Sequence, residues 1–176
     1  VVSDQYVRAT PGGVGEAKTA GNYAACNLAE KQAQAQGFTQ VLWLDAVERK
    51  YIEEVGSMNI FFVIDDEIVT PQLNGTILPG ITRKSVLELA RHWDLKTSER
   101  RISIDEVLEG LESGRVSEVF GAGTAAVISP VGLLHYRGQS SQVGDGQTGP
   151  VAKRFFEHLT AIQYGRENDP FVIGMI

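Results

Sequence analysis

The sequence predicts one domain of mixed α/β or α+β class, because short apolar strand segments and amphipathic helical segments alternate irregularly along the chain. The 176 residues can bury one core, and no repeat or linker divides them, so we treat residues 1–176 as a single domain. With 43% hydrophobic and 22% charged residues, the composition is that of an ordinary globular protein.

The first half of the chain predicts a glycine-rich loop, a helix and a series of strands. Pro11 and three glycines make residues 11–19 a loop. A helix is predicted from Asn22 to about Gln36, because Ala, Leu, Glu, Lys and Gln dominate there, and Gly37 suits the position after its end. Short apolar segments predict strands at 6–9, 40–44, 51–55, 58–64 and 68–70.

The second half repeats this alternation. Ser103 or Asp105 can cap a helix that runs to about Ser113 and ends at Gly114. The remaining predicted elements are a helix from about Thr82 to Trp93, an extended segment 98–102, strands at 116–120 and 125–136, a loop or edge hairpin at 138–150, and a helix at 151–164. The tail, 165–176, is predicted to be irregular.

Charge and composition exclude several classes of function. The net charge is −6 and no long basic run occurs, so we expect no nucleic-acid partner. No apolar stretch is long enough to span a bilayer, and the first residues do not resemble a signal peptide. The single cysteine, Cys26, suits a reducing cytosol, so we expect a cytoplasmic protein. His92, His135 and His158 lack the spacing of metal ligands, so no metal site is predicted.

Lys18 is the first candidate for chemistry, because it lies among small residues where the glycine-rich loop gives way to the helix. Small neighbours allow a ligand to approach the amine closely. Two chemistries use such a lysine, namely phosphate binding and Schiff-base formation. On its pattern alone, an ordinary solvated lysine at a helix start remains the commoner case.

A phosphate loop is the less favoured of the two. The segment from Gly12 to Thr19 misses the pattern G-x-x-x-x-G-K-[ST] only because Ala17 replaces the second glycine. Glycine at that position adopts backbone angles that alanine disfavours, so the loop cannot wrap a phosphate in the usual way. Residues 41–45 resemble an apolar strand ending in a metal-binding aspartate, but the strand expected before the loop is weak.

A Schiff-base site needs an amine, a carboxylate for a protonated pyridine nitrogen, a hydroxyl for the ring oxygen, and backbone N–H groups for a phosphate. The sequence offers a candidate for each part: Lys18, Glu54, Tyr23, the segment 78–82 that leads into a helix, and the turn 123–125. Each part also has an ordinary interpretation. Glu54 can equally be a surface strand residue, and Gly123 and Thr124 an ordinary turn.

Taken together, these segments closely resemble the C-terminal domain of branched-chain amino acid aminotransferases, which are fold-type IV pyridoxal-phosphate enzymes. The likeness covers nearly the whole chain, and its specificity comes from the order of five separate motifs. These are Glu16-Ala17-Lys18-Thr19-Ala20-Gly21-Asn22-Tyr23, Gln40–Leu44, Glu54-Val55-Gly56-Ser57-Met58-Asn59, Leu73–Arg83 and Glu118–Ala125, followed by Ile162–Gly165.

The resemblance implies a pseudo-barrel domain that binds pyridoxal 5'-phosphate. Lys18 would bind the cofactor covalently and move a proton at the substrate α-carbon. Tyr23 would contact the phenolic oxygen, and Glu54 would pair with the pyridine nitrogen. The residues implied around the phosphate are Leu78, Gly80, Ile81, Thr82, Gly123 and Thr124. Those implied near the substrate are Ser57, Thr124 and Ala125.

The same resemblance implies transamination of Leu, Ile and Val with 2-oxoglutarate, giving branched 2-oxo acids and glutamate. The family's N-terminal domain, which completes the site, is absent from this sequence, which starts without Met. We therefore expect the piece alone to be inactive or nearly so, its own N-terminal domain to be a partner, and the intact enzyme to be a homodimer.

Two alternatives stay open. One lies within the fold type, as a D-amino acid aminotransferase or an aminodeoxychorismate lyase, although residues 54–59 and 73–83 favour the branched-chain group. The other is a non-catalytic lobe that assembles with a partner.

Overall fold

The computed structural model describes residues 1–171, within which the chain forms four helices and nine strands. The helices are α1 (Ala20–Ala35), α2 (Ile81–His92), α3 (Ile104–Ser113) and α4 (Pro150–Gln163). The strands are β1 (Leu42–Leu44), β2 (Ile52–Val55), β3 (Met58–Ile64), β4 (Glu67–Pro71), β5 (Thr97–Arg100), β6 (Val116–Gly123), β7 (Val127–Pro130), β8 (Leu133–Tyr136) and β9 (Gln139–Gln142). The predicted mixed α/β class is confirmed. None of the described helices is long and apolar enough to cross a membrane.

Strand β3 is the centre of a seven-stranded sheet. Strand β6 runs antiparallel along one edge of β3, from Asn59 opposite Ala122 to Ile64 opposite Val116. The other edge pairs first with β2 and then with β4. Strands β1, β5 and β7 extend the sheet, and β8 and β9 form a separate two-stranded hairpin.

The two faces of β3 bury two different apolar clusters, as its continuous apolar sequence predicts. Ile60 and Phe62 lie in a cluster that also contains Val107 of α3. Phe61 lies in the other cluster, which contains residues of α2 and α4 and where its ring stacks on Phe120 at 5.3 Å. Because both faces are covered, β3 is a rigid element to which neighbouring segments can be fixed.

Helix α1 packs on the start of the sheet through a small cluster of its own. Cys26, Ala29 and Ala33 are buried against Val41 and Trp43. The Trp43 indole Nε1–H donates a hydrogen bond of 2.9 Å to the carbonyl of Gly56, in the turn between β2 and β3. The start of α1 is therefore held beside that turn.

The ends of α3 follow the sequence signals closely. The Ser103 side chain accepts a hydrogen bond of 3.0 Å from the backbone N–H of Glu106, which satisfies a donor of the first turn. Gly114 follows the helix with a φ of 78°, a left-handed conformation that favours glycine.

Two predicted strands are wrong. Residues 6–9 form no strand; the start of the chain is joined to the sheet by one isolated bridge between Val2 and Leu42, and Arg8 is buried. The single strand predicted at 125–136 is two strands, β7 and β8, in different sheets. Between these two strands the chain passes through Gly132, where a Cβ would lie 2.7 Å from the carbonyl oxygen of Gly146. This close approach therefore requires glycine.

Other boundaries agree within a few residues. The segment 138–150 contains β9 and thus forms the predicted hairpin with β8. The last helix begins one residue earlier than predicted, at Pro150. Of the tail predicted to be irregular, residues 172–176 lie outside the described part of the chain.

The Ser103 cap gives a direct test of the α3 assignment. We expect Ser103→Ala to lower the free energy of unfolding by about 1 kcal/mol, because the first-turn N–H of Glu106 loses its acceptor. Ser113→Ala, at the exposed end of the same helix, is the matched control and should change stability by less than about 0.5 kcal/mol. Denaturant unfolding of both variants measures the difference; equal effects would contradict the cap.

Candidate functional site

A cavity of about 150 Å³ lies between the start of α1 and the turn that joins β2 to β3. It brings together four of the residues predicted from the sequence, and Arg8, Ala17 and Cys26 also line it. The four predicted residues are Tyr23, Glu54, Ser57 and Leu78. Lys18 follows Ala17 directly and is exposed, but it is not among the residues that line the cavity.

The loop that carries Lys18 is fixed from the helix side by Asn22. The Asn22 side chain is buried, and its Nδ2 donates hydrogen bonds of 2.7 Å to the carbonyls of Val14 and Ala17. These bonds hold the loop on both sides of Gly15. This role of Asn22 was not predicted from the sequence, although an amide in the first turn of an otherwise Ala-rich helix is a signal for a side chain that bonds to nearby backbone.

From the opposite side, the same loop packs against the segment before α2. Gly15 is buried, and a Cβ on it would lie only 2.5 Å from the carbonyl oxygen of Thr76. Arg8 donates from Nη2 to the carbonyl of Gly15 at 3.2 Å, and from the same atom to the carbonyl of Thr76. Position 15 therefore requires a residue without a side chain.

Glu54 lies at the inner side of the cavity and is buried, which contradicts its interpretation as a surface strand residue. One carboxylate oxygen, Oε1, accepts a hydrogen bond of 2.8 Å from the backbone N–H of Leu78. The other, Oε2, lies 3.3 Å from Nε of Arg8. Burial raises the pKa of Glu54 to about 7, although the Arg8 charge and the Leu78 N–H oppose that rise. The Glu54 carboxylate can therefore accept a proton near neutral pH from a cationic group placed beside it.

Arg8 is the functional residue that the sequence analysis missed most clearly. Residues 6–9 resembled a strand, and a strand assignment gives no reason to turn the Arg8 side chain inward. Its side chain is nevertheless 5% exposed, and it contacts three separate segments. A lone arginine in an otherwise apolar stretch was the available signal, because a buried arginine needs an anionic partner.

The residues predicted to bind a phosphate lie at the start of α2 and at the end of β6. Gly80 is the N-cap of α2, and no side chain among the described residues caps that helix, so its first N–H groups are open to an anion. Ile81 is 77% exposed and Thr82 is half-buried. Gly123 is the last residue of β6 and is half-buried, while Thr124 and Ala125 in the turn after it are exposed.

Asn59 of β3 links these two segments. Its Nδ2 donates to the carbonyl of Leu78 at 2.8 Å, and Gly80 packs so closely that a Cβ would lie 2.2 Å from the Asn59 Oδ1. Asn59 also pairs across the sheet with Ala122, shortly before the turn that carries Thr124. One strand position thus fixes both candidate anion-binding segments. Leu78 lines the cavity, whereas residues 80–82 and 123–125 do not.

Together, these groups can bind a charged, ring-shaped ligand that carries a phosphate. The buried carboxylate suits a protonated ring nitrogen, Tyr23 supplies a phenol that is 40% exposed, and the open start of α2 suits an anion. Ser57, exposed at the turn after β2, lines the same cavity.

Comparisons with known proteins identify the family of the chain. Residues 1–134 match the family model described as amino-transferase class IV. The chain is 57% identical over 170 residues to a protein of Bacillus subtilis (strain 168) named branched-chain-amino-acid transaminase 1, covering 97% of this chain and 48% of that protein. A probable branched-chain-amino-acid aminotransferase of Streptomyces coelicolor is 49% identical over 169 residues, covering 96% of this chain and 47% of that protein.

Solved structures that resemble this chain are also branched-chain amino acid aminotransferases. The branched-chain amino acid aminotransferase of Escherichia coli superposes with a TM-score of 0.82 at 32% identity, covering 97% of this chain and 53% of that one. The branched-chain amino acid aminotransferase of Thermoproteus uzoniensis, solved with norvaline, superposes with a TM-score of 0.77 at 28% identity, covering 95% of this chain and 52% of that one. The chain spans about half the length of the curated relatives it matches. Because the family model covers most of the chain, the chain belongs to the class IV aminotransferases.

Proposed function

We propose that this chain is the cofactor-binding part of a pyridoxal 5'-phosphate enzyme that transfers the amino group of branched-chain L-amino acids to 2-oxoglutarate. The observation that carries the proposal is the buried carboxylate of Glu54, which faces a cavity beneath the Lys18 loop. An acid in that position can pair with a cationic ring bound beside it. The names of the relatives support branched-chain amino acids as substrates. A related branched-chain amino acid aminotransferase solved with N-(5'-phosphopyridoxyl)-L-glutamate and with pyridoxamine 5'-phosphate supports the cofactor.

The residues present fit the cofactor in charge and in hydrogen-bonding character. Glu54 would pair with the pyridine nitrogen, and Arg8 behind it favours the ionised carboxylate. Tyr23 would donate to the phenolic oxygen. The phosphate would be held by the first N–H groups of α2, at Ile81 and Thr82, and by the Thr124 hydroxyl. When it is bound, pyridoxal 5'-phosphate supplies an electron sink for the reaction.

Lys18 is the residue proposed to move the proton. Its loop is held by Asn22 on one side and by Thr76 and Arg8 on the other, so the exposed amine projects from a fixed backbone. The amine would hold the cofactor covalently and would then take the proton from the substrate α-carbon. The fixed loop limits the orientations that the amine must search.

The substrate side of the site is proposed to be only partly formed by this chain. Ser57, Thr124 and Ala125 are exposed, so they can contact a substrate carboxylate from one side only. The shorter length of this chain relative to its relatives supports a second, N-terminal domain that closes the pocket and supplies further phosphate and side-chain contacts. We infer that the described part alone is inactive or nearly so, and that the whole enzyme is a cytoplasmic homodimer.

A D-amino acid aminotransferase or an aminodeoxychorismate lyase is the second candidate within the fold type. Relatives at 57% and 55% identity are named for branched-chain amino acids, which favours the first candidate. A non-catalytic lobe is disfavoured because Glu54 is buried as an ionisable group beside an open cavity, at an energetic cost that a purely structural residue would avoid.

A substrate panel tests the proposed activity. The full-length protein, loaded with pyridoxal 5'-phosphate, should transfer the amino group of L-leucine, L-isoleucine and L-valine to 2-oxoglutarate, and should not use D-alanine. Lys18→Ala should lower kcat by at least about 10²-fold, because the α-carbon proton loses its acceptor. Lys31→Ala, an exposed lysine of α1, is the matched control and should retain activity. Activity on D-alanine without activity on L-leucine would overturn the branched-chain assignment.

The raised pKa of Glu54 predicts how stability depends on pH. Its pKa is about 7 in the folded protein and about 4.3 when unfolded, so the folded state holds the proton more tightly. The contribution of Glu54 to stability is therefore complete below pH ~4.3 and is lost as the pH rises through about 7. Thermal unfolding of the cofactor-free, full-length protein should show wild type losing stability relative to Glu54→Gln across this range. A difference that is constant with pH would contradict the raised pKa.

A further inference from the structure

Glu53, the neighbour of Glu54 in β2, is a second buried carboxyl group that the proposed function does not use. It is 2% exposed, and because side chains alternate along a strand it faces away from the cavity that Glu54 lines. Its Oε1 is within hydrogen-bond distance of the Thr76 hydroxyl. Its Oε2 is buried and has no hydrogen-bond partner within residues 1–171.

The hydrogen bonds around Thr76 contain one proton too few if Glu53 is ionised. The Thr76 Oγ1 lies at hydrogen-bond distance from Glu53 Oε1 and also 2.7 Å from Asn74 Oδ1. Asn74 Oδ1 also accepts the backbone N–H of Thr76 at 3.1 Å, which identifies it as the oxygen. A hydroxyl has a single proton and cannot donate to both oxygens. A protonated Glu53 supplies the missing proton, since it donates to Thr76, which then donates to Asn74.

The surrounding charges also favour a neutral Glu53. The charged groups near it are Arg8, Glu54, Asp45 and Arg101. Arg8 is already in contact with Glu54, and Arg101 pairs with an exposed glutamate, Glu48. Asp45 adds a further anion on the side of Glu53, and its carboxylate accepts backbone N–H groups. Burial raises the pKa of Glu53, although Thr76, Arg8 and Asn74 oppose the rise.

Thr76 connects Glu53 to the proposed cofactor site. Its side chain contacts Glu53, its carbonyl accepts a hydrogen bond from Arg8, and the same carbonyl packs on Gly15 of the Lys18 loop. Arg8 in turn contacts Glu54. An ionised Glu53 would compete with Glu54 for the buried guanidinium of Arg8, and it would also raise the pKa of Glu54.

We propose that Glu53 is a positioning residue that acts as a neutral hydrogen-bond donor to Thr76, so that Thr76 holds Arg8 against Glu54 and supports the Lys18 loop. The proposal rests on the function proposed above, because it assigns Glu54 to the cofactor. It adds a protonated carboxyl group, outside the cofactor cavity, that keeps Arg8 for Glu54 alone.

The first test measures the protonation of Glu53 without any enzymatic activity. Stability of the cofactor-free, full-length protein and of its Glu53→Gln variant is compared by denaturant unfolding from pH 5 upward. Glutamine cannot lose a proton, whereas wild type holds one in the folded state that the unfolded chain releases. As the pH rises, the equilibrium constant for unfolding of wild type should therefore increase relative to that of Glu53→Gln. The increase should be up to about tenfold per pH unit until Glu53 titrates in the folded protein. A stability difference between the two proteins that does not change with pH, or that changes in the opposite direction, would overturn the proposal.

Infrared difference spectra of the same two proteins provide a second, independent readout. At neutral pH, wild type should show the carbonyl stretch of a protonated carboxyl group that Glu53→Gln lacks. Glu109→Gln, an exposed carboxylate of α3, is the matched control and should remove only a carboxylate band. Loss of a carboxylate band on substitution of Glu53 would overturn the proposal.

The positioning role is tested in the holoenzyme. Glu53→Gln supplies an amide donor and should keep kcat and KM within about twofold of wild type, while Glu53→Ala should lower kcat by about tenfold, since Thr76 loses its donor. Thr76→Val should lower kcat similarly, and Glu53→Ala together with Thr76→Val should cost little more than either alone. Equal losses in Glu53→Gln and Glu53→Ala, or additive losses in the double variant, would contradict the role. An inactive wild type would instead refute the proposed function and leave the stability and infrared results to decide on Glu53.

Discussion

The contact between Arg8 and Glu54 is the interaction on which the candidate site depends. Both side chains are buried, and the Arg8 Nε lies 3.3 Å from the Glu54 carboxylate. A buried ion pair adds little net stability compared with apolar residues, but the loss of one partner leaves a charge without compensation. The pair is therefore better explained by what it makes possible, which is an ionisable acid kept in a buried position beside a cavity.

The same arginine also determines where the Lys18 loop lies. Its Nη2 atom donates to the carbonyls of Gly15 and Thr76, so one side chain joins the start of the chain, the loop, β2 and the segment before α2. Strand β3 supplies the other half of this organisation, because Asn59 fixes the carbonyl of Leu78 just before α2. Arg8 and Asn59, both buried in the fold, thus connect the candidate acid, the lysine loop and the open helix start, and Asn22 holds the loop from the helix side.

Local signals in the sequence were sufficient for most of the secondary structure. Gly114, Ser103 and the apolar run 58–64 each act within a few residues, and the corresponding elements lie where they were expected. The separation of β7 from β8 was not predictable in this way. It depends on the approach of Gly132 to Gly146, two residues that are distant along the chain. The strand predicted at 6–9 failed for the same kind of reason, since the position of Arg8 is set by Glu54 and Thr76.

Most residues of the candidate site were predicted from the order of the sequence motifs. The contacts that support these residues were not predicted. Tyr23, Glu54, Ser57 and Leu78 meet at one cavity, as the resemblance implied that they should lie near one ligand. The residues that hold them are Arg8, Asn22, Asn59 and Thr76. Arg8 and Asn22 each had a local signal in the sequence, but that signal did not identify their partners. Their roles follow from burial and from the count of hydrogen-bond donors, which only the three-dimensional arrangement provides.

Lys18 is proposed to hold the cofactor opposite Glu54. Borohydride reduction of the full-length holoenzyme, followed by proteolysis and peptide mapping by mass spectrometry, tests it most directly. Reduction fixes a cofactor bound to a lysine amine as a stable adduct on that residue. We expect the adduct on the peptide that contains Lys18 and on no other lysine of the protein; an adduct on a different lysine, with Lys18 unmodified, would refute the role proposed for Lys18.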